Sequence, residues 1–591
     1  MSSNISSTVE KTAAAPPTLL EAFATSAAQL RHFGIPRIRV VGLSEGCTQA
    51  DYEKQRSRPD GKDMETLLQE STLRGPHGAL GAASHRVQSE AEARAAAQVN
   101  EDVPIVTEQE FMHKFVFHSR PCVILDAIAS WPAVEKWRDD RYVFDLDHTL
   151  PLEPEREPQE EEEEDEEEQD DGEDTNPNET EKARSSEKAC EANVSDAAAP
   201  VLAPKKVTVA LTPNGRADAA TRVTYSTTAV PAEDAAAVYT GTEAQKHAVM
   251  LPSADIVDAD KHVRCEKIFM YAAELRMTLP QLYGLLQRSP LFPPANPIEI
   301  DMRTYADKSQ APAIAYAQLQ NNCLNTEYNH LHVDIGSNVE RFGCRVFDKD
   351  AVEAANVWFG IPASVSSMHQ DWVENLYAVV RGVKEFVMIP PWEGPFVPKP
   401  EIPAAAFAID EAQSVVDHGE DTAQSWSLQF KQYPVKDGTT VPWMDFDITG
   451  AEVEDDAEGV ARAELKRRLV EQRCETSALW AAPMCEDEAV AAAEEEAARK
   501  PLHPLVAYVH PGETLYLPAM WLHRVAQHAD STDMHARAMH HAAAAAAAVD
   551  PANRAPTTEP PLPLIAAVNY WYDMSFGNPS VVMLREFGLL L

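Results

Sequence analysis

From residue 313 onward the chain alternates short apolar runs with Gly- and Pro-containing turns. The runs fall at 314–318, 356–359, 364–369, 375–380, 385–389, 505–509, 514–517, 522–526 and 564–572. Eight or nine short strands in this order predict a sandwich or barrel. Upstream the period changes. Leu19, Leu20, Phe23, Ala27 and Leu30 give a helical stripe over 18–33, and a second helix is expected at 279–286. Thr107 caps a helical run containing Phe111, Phe115 and Phe117, and strands are expected at 122–125 and 207–211, the latter closed by Pro213-Asn-Gly215.

Between these elements lie stretches with little pattern. Residues 43–100 are polar, Ala-rich and aperiodic, and 216–260 are weakly patterned. Residues 401–500 are Ala/Glu-rich with expected helices, including 460–473, while 527–562 are low in complexity, with seven consecutive alanines from Ala542. Both lie between strands, where insertions are tolerated. The organisation expected is a helix and disordered extension over 1–100, an α/β part over 101–312 interrupted by a disordered insertion at 153–204, and a β domain over 313–591 carrying insertions at 401–500 and 527–562. The fold class is therefore mainly β with flanking helices.

Composition sharpens this picture. There are 51 Lys+Arg against 94 Asp+Glu, a formal net charge of −43, which argues against a binder of phosphate backbones. The charge is concentrated: residues 153–181 hold 18 acids and one base, Arg156, a tract that cannot bury a core. Its acidity is compatible with steering a basic substrate segment. Residues 452–500 add 14 acids against 7 bases, so the rest of the chain is only mildly acidic. Eight cysteines stand singly with no CxxC pair, as in a reducing compartment. No apolar run approaches a membrane span, and the N-terminus lacks a basic-then-apolar signal. The expected location is the cytoplasm, with the nucleus as a second compartment.

Four His-x-Asp/Glu pairs occur: His332/Asp334, His369/Asp371, His418/Glu420 and His528/Asp530. About three would arise by chance, so context must choose among them. Only His369-Gln-Asp371 closes a strand-like run with another following it, and residues i and i+2 of a strand share a face. A 2-His-1-carboxylate set, which leaves three positions open on non-haem Fe(II), needs one more ligand. His523 is the best placed, in the apolar run ending Gly512-Glu-Thr-Leu-Tyr-Leu-Pro-Ala-Met-Trp-Leu-His523. On spacing alone, a satisfied core histidine reads it equally well. His535, His540 and His541 stand in the low-complexity segment and are set aside. Lys384 opens an otherwise apolar strand after Arg381-Gly382. It is either a snorkelling surface lysine or an interior cation that requires an anion. Tyr377 shares the parity of His369 and Asp371, and a dicarboxylate could chelate a metal at one end and meet Lys384 at the other.

The motifs Asn356-Val-Trp-Phe-Gly360, Ser366-Ser-Met-His-Gln-Asp371, Glu374-Asn-Leu-Tyr-Ala-Val-Val-Arg-Gly-Val-Lys384, Pro390-Pro391, the run ending at His523, and Val568-Asn-Tyr-Trp-Tyr-Asp573 together resemble the JmjC-domain, cupin-like 2-oxoglutarate oxygenases. The nearest branch resembled is the small JmjC (3S)-lysyl hydroxylases, some of which are also described as peptidases. Arg120-Pro-Cys-Val-Ile-Leu-Asp-Ala-Ile-Ala-Ser-Trp-Pro-Ala-Val-Glu-Lys-Trp137, the segment from Val207 to Asp218 and the helix at 18–33 fit that branch. In-order matches cover about half of the chain, broken by the insertions.

The resemblance implies a double-stranded β-helix, a jelly roll, holding Fe(II) through His369, Asp371 and His523. It implies 2-oxoglutarate bound by Lys384 with help from Ser366, Tyr377 and Tyr316, and Asn569 as a further contact near the metal. Ser366 stands where close relatives carry threonine. O₂ would be the second cosubstrate, and oxidative decarboxylation would release succinate and CO₂. The implied substrate is a lysine of a developmentally regulated GTP-binding protein, and a homodimer is the assembly considered. Two readings stay open within the enzyme class, a methyl-lysine demethylase and an Asn/His hydroxylase. Outside it stands a catalytically silent interaction scaffold, against which the complete ligand set with Lys384 argues.

Overall fold

Eight strands of the C-terminal half pair as two four-stranded sheets in the computed structural model. The model describes residues 35–57, 62–73, 103–154, 202–226, 263–294, 297–301, 313–397, 399–409, 430–434, 440–444, 448–449, 491–492, 502–549 and 559–575. In chain order the eight are β1 (Ala354–Gly360), β2 (Val365–Gln370), β3 (Val373–Arg381), β4 (Val383–Ile389), β5 (Leu505–Val509), β6 (Thr514–Leu517), β7 (Leu522–His528) and β8 (Ile565–Asp573). One sheet runs β1-β8-β3-β6 and the other β5-β4-β7-β2, all antiparallel. This interleaving is the jelly roll of the cupin-like core.

These strands read as continuous apolar runs because both of their faces are covered. Inward residues, among them Tyr377, Val379, Phe386, Met388, Leu515 and Val525, form one core. Leu376, Ala378 and Val380 of β3 point the other way, into a larger core built with N-terminal elements and helices. Trp137, Phe144 and Tyr328 pack around Phe359 in that outer layer, with ring centroids 5.5 to 6.0 Å apart.

The N-terminal half extends both sheets. Cys122–Ile124 pairs with β6, then Arg37–Val40 and Ile105–Val106 follow in parallel. Arg216–Ala217 pairs in parallel with β2. The turn before it depends on Gly215 at φ +76°: a Cβ there would lie 2.0 Å from the Ala363 carbonyl oxygen, so no side chain fits. The helix Leu279–Arg288 starts at a Thr278/Gln281 capping box and buries Leu279, Leu282, Leu285 and Leu286. Thr107 caps as expected, but its helix Glu108–Phe111 passes directly into a π-helical turn, Met112–Val116.

Several sequence expectations need correction. Residues 43–100 contain two helices, Gln49–Arg56 and Met64–Leu73, and the strand Arg37–Val40 lies just before them. The first helix is fixed by its Thr48/Asp51 capping box and by Gln55, whose amide bonds Val103 O and Ile105 N at 2.8 Å, features without periodicity. The weakly patterned stretch after residue 216 forms Ala219–Ser226, paired along its length with Val263–Tyr271.

Residues 401–500 begin with a strand, Glu401–Ile409, laid parallel to Val263–Tyr271 and continued by Phe430–Pro434 and Thr440–Pro442. The alanines that suggest a helix are recruited by this non-local pairing. The segment placed at 527–562 opens with the end of β7 and continues as one helix, Ser531–Val549. The helix expected at 18–33, the helix at 460–473 and most of the acidic tract lie outside the described residues. The ends of that tract are joined, Glu153–Pro154 pairing with Leu202–Ala203.

Candidate active site

His369 and His523 are direct cross-strand partners on β2 and β7. Two β7 steps, from Val525 to His523, correspond to three on β2, from Ser366 to His369. This β-bulge is what lets Ser366 and His369, of opposite parity, line one cavity. Asp371 follows the end of β2, its carbonyl accepting the Met520 amide at 2.8 Å. Its Oδ2 lies 3.8 Å from His369 Nε2 and 3.6 Å from His523 Nε2.

Both imidazoles are oriented in the same way. His369 Nδ1 lies 2.7 Å from Ser367 O and His523 Nδ1 lies 3.0 Å from Trp521 O. A carbonyl only accepts, so each Nδ1 carries a proton and Nε2 is the ring nitrogen left to ligate. Burial, helped by the neighbouring His369, pushes the His523 pKa down to about 4, which keeps the ring neutral. All three donor atoms lie within 4.8 Å of one another. Two imidazoles with backbone-bonded Nδ1 and one carboxylate form a donor set that fits a facial-triad divalent metal.

Lys384 is fully buried on β4, inside the barrel rather than snorkelling. Its Nζ donates to Gln527 Oε1 at 2.7 Å and Tyr316 Oη at 3.0 Å. No carboxylate is among these partners, and burial pushes its pKa well down. The Tyr316 hydroxyl also bonds Ser366 and Tyr377, and burial pushes both phenol pKa values up. A cation ringed by protonated hydroxyls and an amide, with no anion, suits the carboxylate of a ligand.

The residues expected from sequence thus come together, with one difference. Asn569 is fully buried behind the cavity wall, where its Oδ1 accepts from Trp358 Nε1 at 2.8 Å and its amide donates to Asn375 at 3.3 Å. It sets the side chains of Trp358 and Asn375, which do line the cavity. Gln527 escaped the sequence reading, since its importance comes from register opposite Lys384, as did the lining residues Gln320, Asn375, Phe386 and Trp571. The other His-acid pairs have structural partners. Asp334 accepts from Lys136, Trp137 and Tyr142, and His528 bonds Glu385 at 2.8 Å. His418 lies outside the described residues.

This jelly roll with a His-Asp-His cluster at one end defines a cupin-like protein. The chain belongs to the cupin-like domain family, whose profile matches residues 108–578, and its similarities are to JmjC-domain oxygenases. It is 30% identical over 262 residues to JmjC domain-containing protein E of Dictyostelium discoideum, covering 44% of this chain and 54% of that one. It is 24% identical over 471 residues to lysine-specific demethylase JMJ32 of Arabidopsis thaliana, covering 79% of each chain. It is 27% identical over 231 residues to the human bifunctional peptidase and (3S)-lysyl hydroxylase JMJD7, covering 39% of this chain and 55% of that protein. The chain therefore spans about half the length of two of these relatives. JmjC oxygenases generally depend on Fe(II) and 2-oxoglutarate. No helix among the described residues is long and apolar enough to cross a membrane.

Proposed function

We propose that this chain is an Fe(II)- and 2-oxoglutarate-dependent protein hydroxylase that hydroxylates a lysine side chain, with a developmentally regulated GTP-binding protein as substrate and the cytoplasm, with the nucleus, as its location. One observation supports this above others: a fully buried lysine with no carboxylate partner among the described residues stands in the same barrel as a two-histidine, one-carboxylate cluster. When bound, the metal with 2-oxoglutarate and O₂ supplies oxidation of an unactivated C–H bond, the 2-oxoacid leaving as succinate and CO₂.

The residues of the chain bind, orient and exclude water. His369 and His523 offer fixed Nε2 lone pairs, and Asp371 offers a carboxylate between them. Lys384 neutralises the distal carboxylate of the cosubstrate, while Tyr316, Tyr377 and Ser366 donate hydrogen bonds to it. Trp358, Phe386 and Trp571 supply the apolar wall that keeps the site dry. The free space among the lining residues is about 20 Å³, the size of one ion or one water. A dicarboxylate therefore enters only as lining side chains and Gln527 turn aside.

The test is incubation with Fe(II), 2-oxoglutarate and a candidate GTPase, followed by peptide mass mapping. A lysine gaining one oxygen, dependent on His369 and Lys384, is the expected result. No Fe(II)-dependent succinate release with any candidate would return the chain to the class of silent scaffolds. The resemblance to JMJ32 over 79% of both chains favours demethylation as the second reading. In that case a methyl-lysine substrate loses a methyl and formaldehyde appears.

A further inference from the structure

A second cavity, of about 280 Å³, adjoins the first and shares Gln320 with it. Asp218, Tyr271, Glu274 and Gln318 also line it. Its volume lies just below the range of small-molecule sites, which suits one long side chain. Asp218 is held in place from two sides. Its carbonyl accepts Ser367 Oγ at 3.0 Å, two residues before His369. Its carboxylate accepts the backbone amide of Ala272. It adopts φ +50°, the left-handed region, a conformation that clusters at functional sites.

Among the described residues no lysine or arginine pairs with Asp218. At the rim stands Tyr271, 40% exposed, packed edge-on against Phe269 with centroids 4.9 Å apart, a ring surface suited to a methylene stem or a cation.

We propose that this cavity is the subsite for the substrate's cationic side chain, Asp218 receiving a lysine ammonium whose methylene stem lies along Tyr271 and Leu319. The assignment rests on the oxygenase reading above and names what that site selects. Lys384 and Asp218 then divide the selection by sign, a cation for the cosubstrate and a carboxylate for the substrate. The strand Glu401–Ile409 flanks Val263–Tyr271, so the inserted segment supports the wall that carries Tyr271.

The test compares N-acetyl-lysine amide with its uncharged analogue N-acetyl-norleucine amide on the full chain loaded with Mn(II) and 2-oxoglutarate, binding being read by ligand-detected NMR. The wild type is expected to bind the lysine amide at least ~10-fold more tightly, about 1.4 kcal/mol. Asp218→Asn should reduce that ratio to below ~2, whereas Asp218→Glu, which keeps the charge, should hold most of it. A ratio unchanged in Asp218→Asn overturns the proposal, as does a wild type that prefers neither probe or binds neither. If the Asp218 carboxylate serves only to hold the Ala272 amide, Asp218→Asn leaves the ratio alone, which likewise overturns the proposal. Failure of the oxygenase reading would show elsewhere, as absent Fe(II)-dependent succinate release by the wild type.

Discussion

His369 and His523 face each other across one antiparallel pair, their ring centroids 4.1 Å apart and each Nδ1 bonded to the carbonyl two residues earlier in its own chain. Two imidazoles held this closely gain little from each other, so the pair makes sense as a divided coordination site. His523→Ala should abolish Fe(II)-dependent succinate release, a loss of at least ~10²-fold. Because the ring is buried, a cavity cost of about 1–3 kcal/mol is expected as well. Metal binding followed by calorimetry separates the two effects. A variant that folds and still binds Fe(II) as tightly as wild type would remove His523 from the ligand set.

Lys384 makes an opposite pair of predictions for the free and the loaded protein. A buried lysine with no carboxylate partner among the described residues, its pKa pushed well down by burial, destabilises the free barrel, so Lys384→Met should raise the melting temperature of the unloaded protein, by a gain of about 1–3 kcal/mol. The same variant should lose the stabilisation by 2-oxoglutarate, about 2.7 kcal/mol in wild type at a hundredfold excess over Kd. Thermal melts with and without 2-oxoglutarate read both signs. Equal stabilisation of wild type and variant would mean that the cosubstrate does not reach Lys384.

The contrast between Lys384 and Gln527 shows what the sequence could and could not reveal. Lys384 stands out because it interrupts an apolar run, and Phe386 and Met388 fix its parity as inward. Gln527 has no such background: it precedes a polar, Ala-rich stretch, and only the register Lys384↔Gln527 gives it meaning. Likewise the strands of the jelly roll were legible because burial on both faces leaves continuous apolar runs, whereas Glu401–Ile409 is a strand through pairing with later segments and with one more than a hundred residues earlier. The parity rule behind His369 and Asp371 also needed the bulge, absent from any pattern, to bring Ser366 to the same cavity.

Arg381, at the end of β3, is buried and ties the barrel to its outer layer. It bonds Asp140 at 2.7 Å, Asp533 at 3.0 Å, and the carbonyls of Trp137 at 3.1 Å and Leu562 at 2.9 Å. Arg381→Met leaves Asp140 Oδ1 and two carbonyls without the guanidinium donor, while Asp140 Oδ2 keeps the Leu562 amide, so a loss of about 3–5 kcal/mol is expected. Asp533 lies in the first turn of Ser531–Val549, and that helix should become the first part of the protein to exchange its amides. Hydrogen exchange checks this; uniform loss of protection across the barrel would contradict a local anchor.

Glu374 gives stability a pH dependence whose sign is opposite to that of an ion-paired acid. It is buried, accepts from Tyr516 Oη at 2.9 Å and the Ala519 amide at 3.2 Å, and burial pushes its pKa up to about 7 despite these bonds. Between the ordinary glutamate range near 4.5 and about 7, the folded state binds more protons than the unfolded one. Stability from this group is therefore full below about pH 4.5 and falls as pH rises to 7, by up to ~3 kcal/mol in total. Glu374→Gln keeps an acceptor for both donors and has no proton to lose. Subtracting the variant's denaturant unfolding free energy from that of wild type at pH 5, 6, 7 and 8 isolates this contribution from the many exposed acids. The difference should grow in favour of Gln through that interval and level off above pH 7. A difference independent of pH would mean that the folded protein carries Glu374 charged throughout.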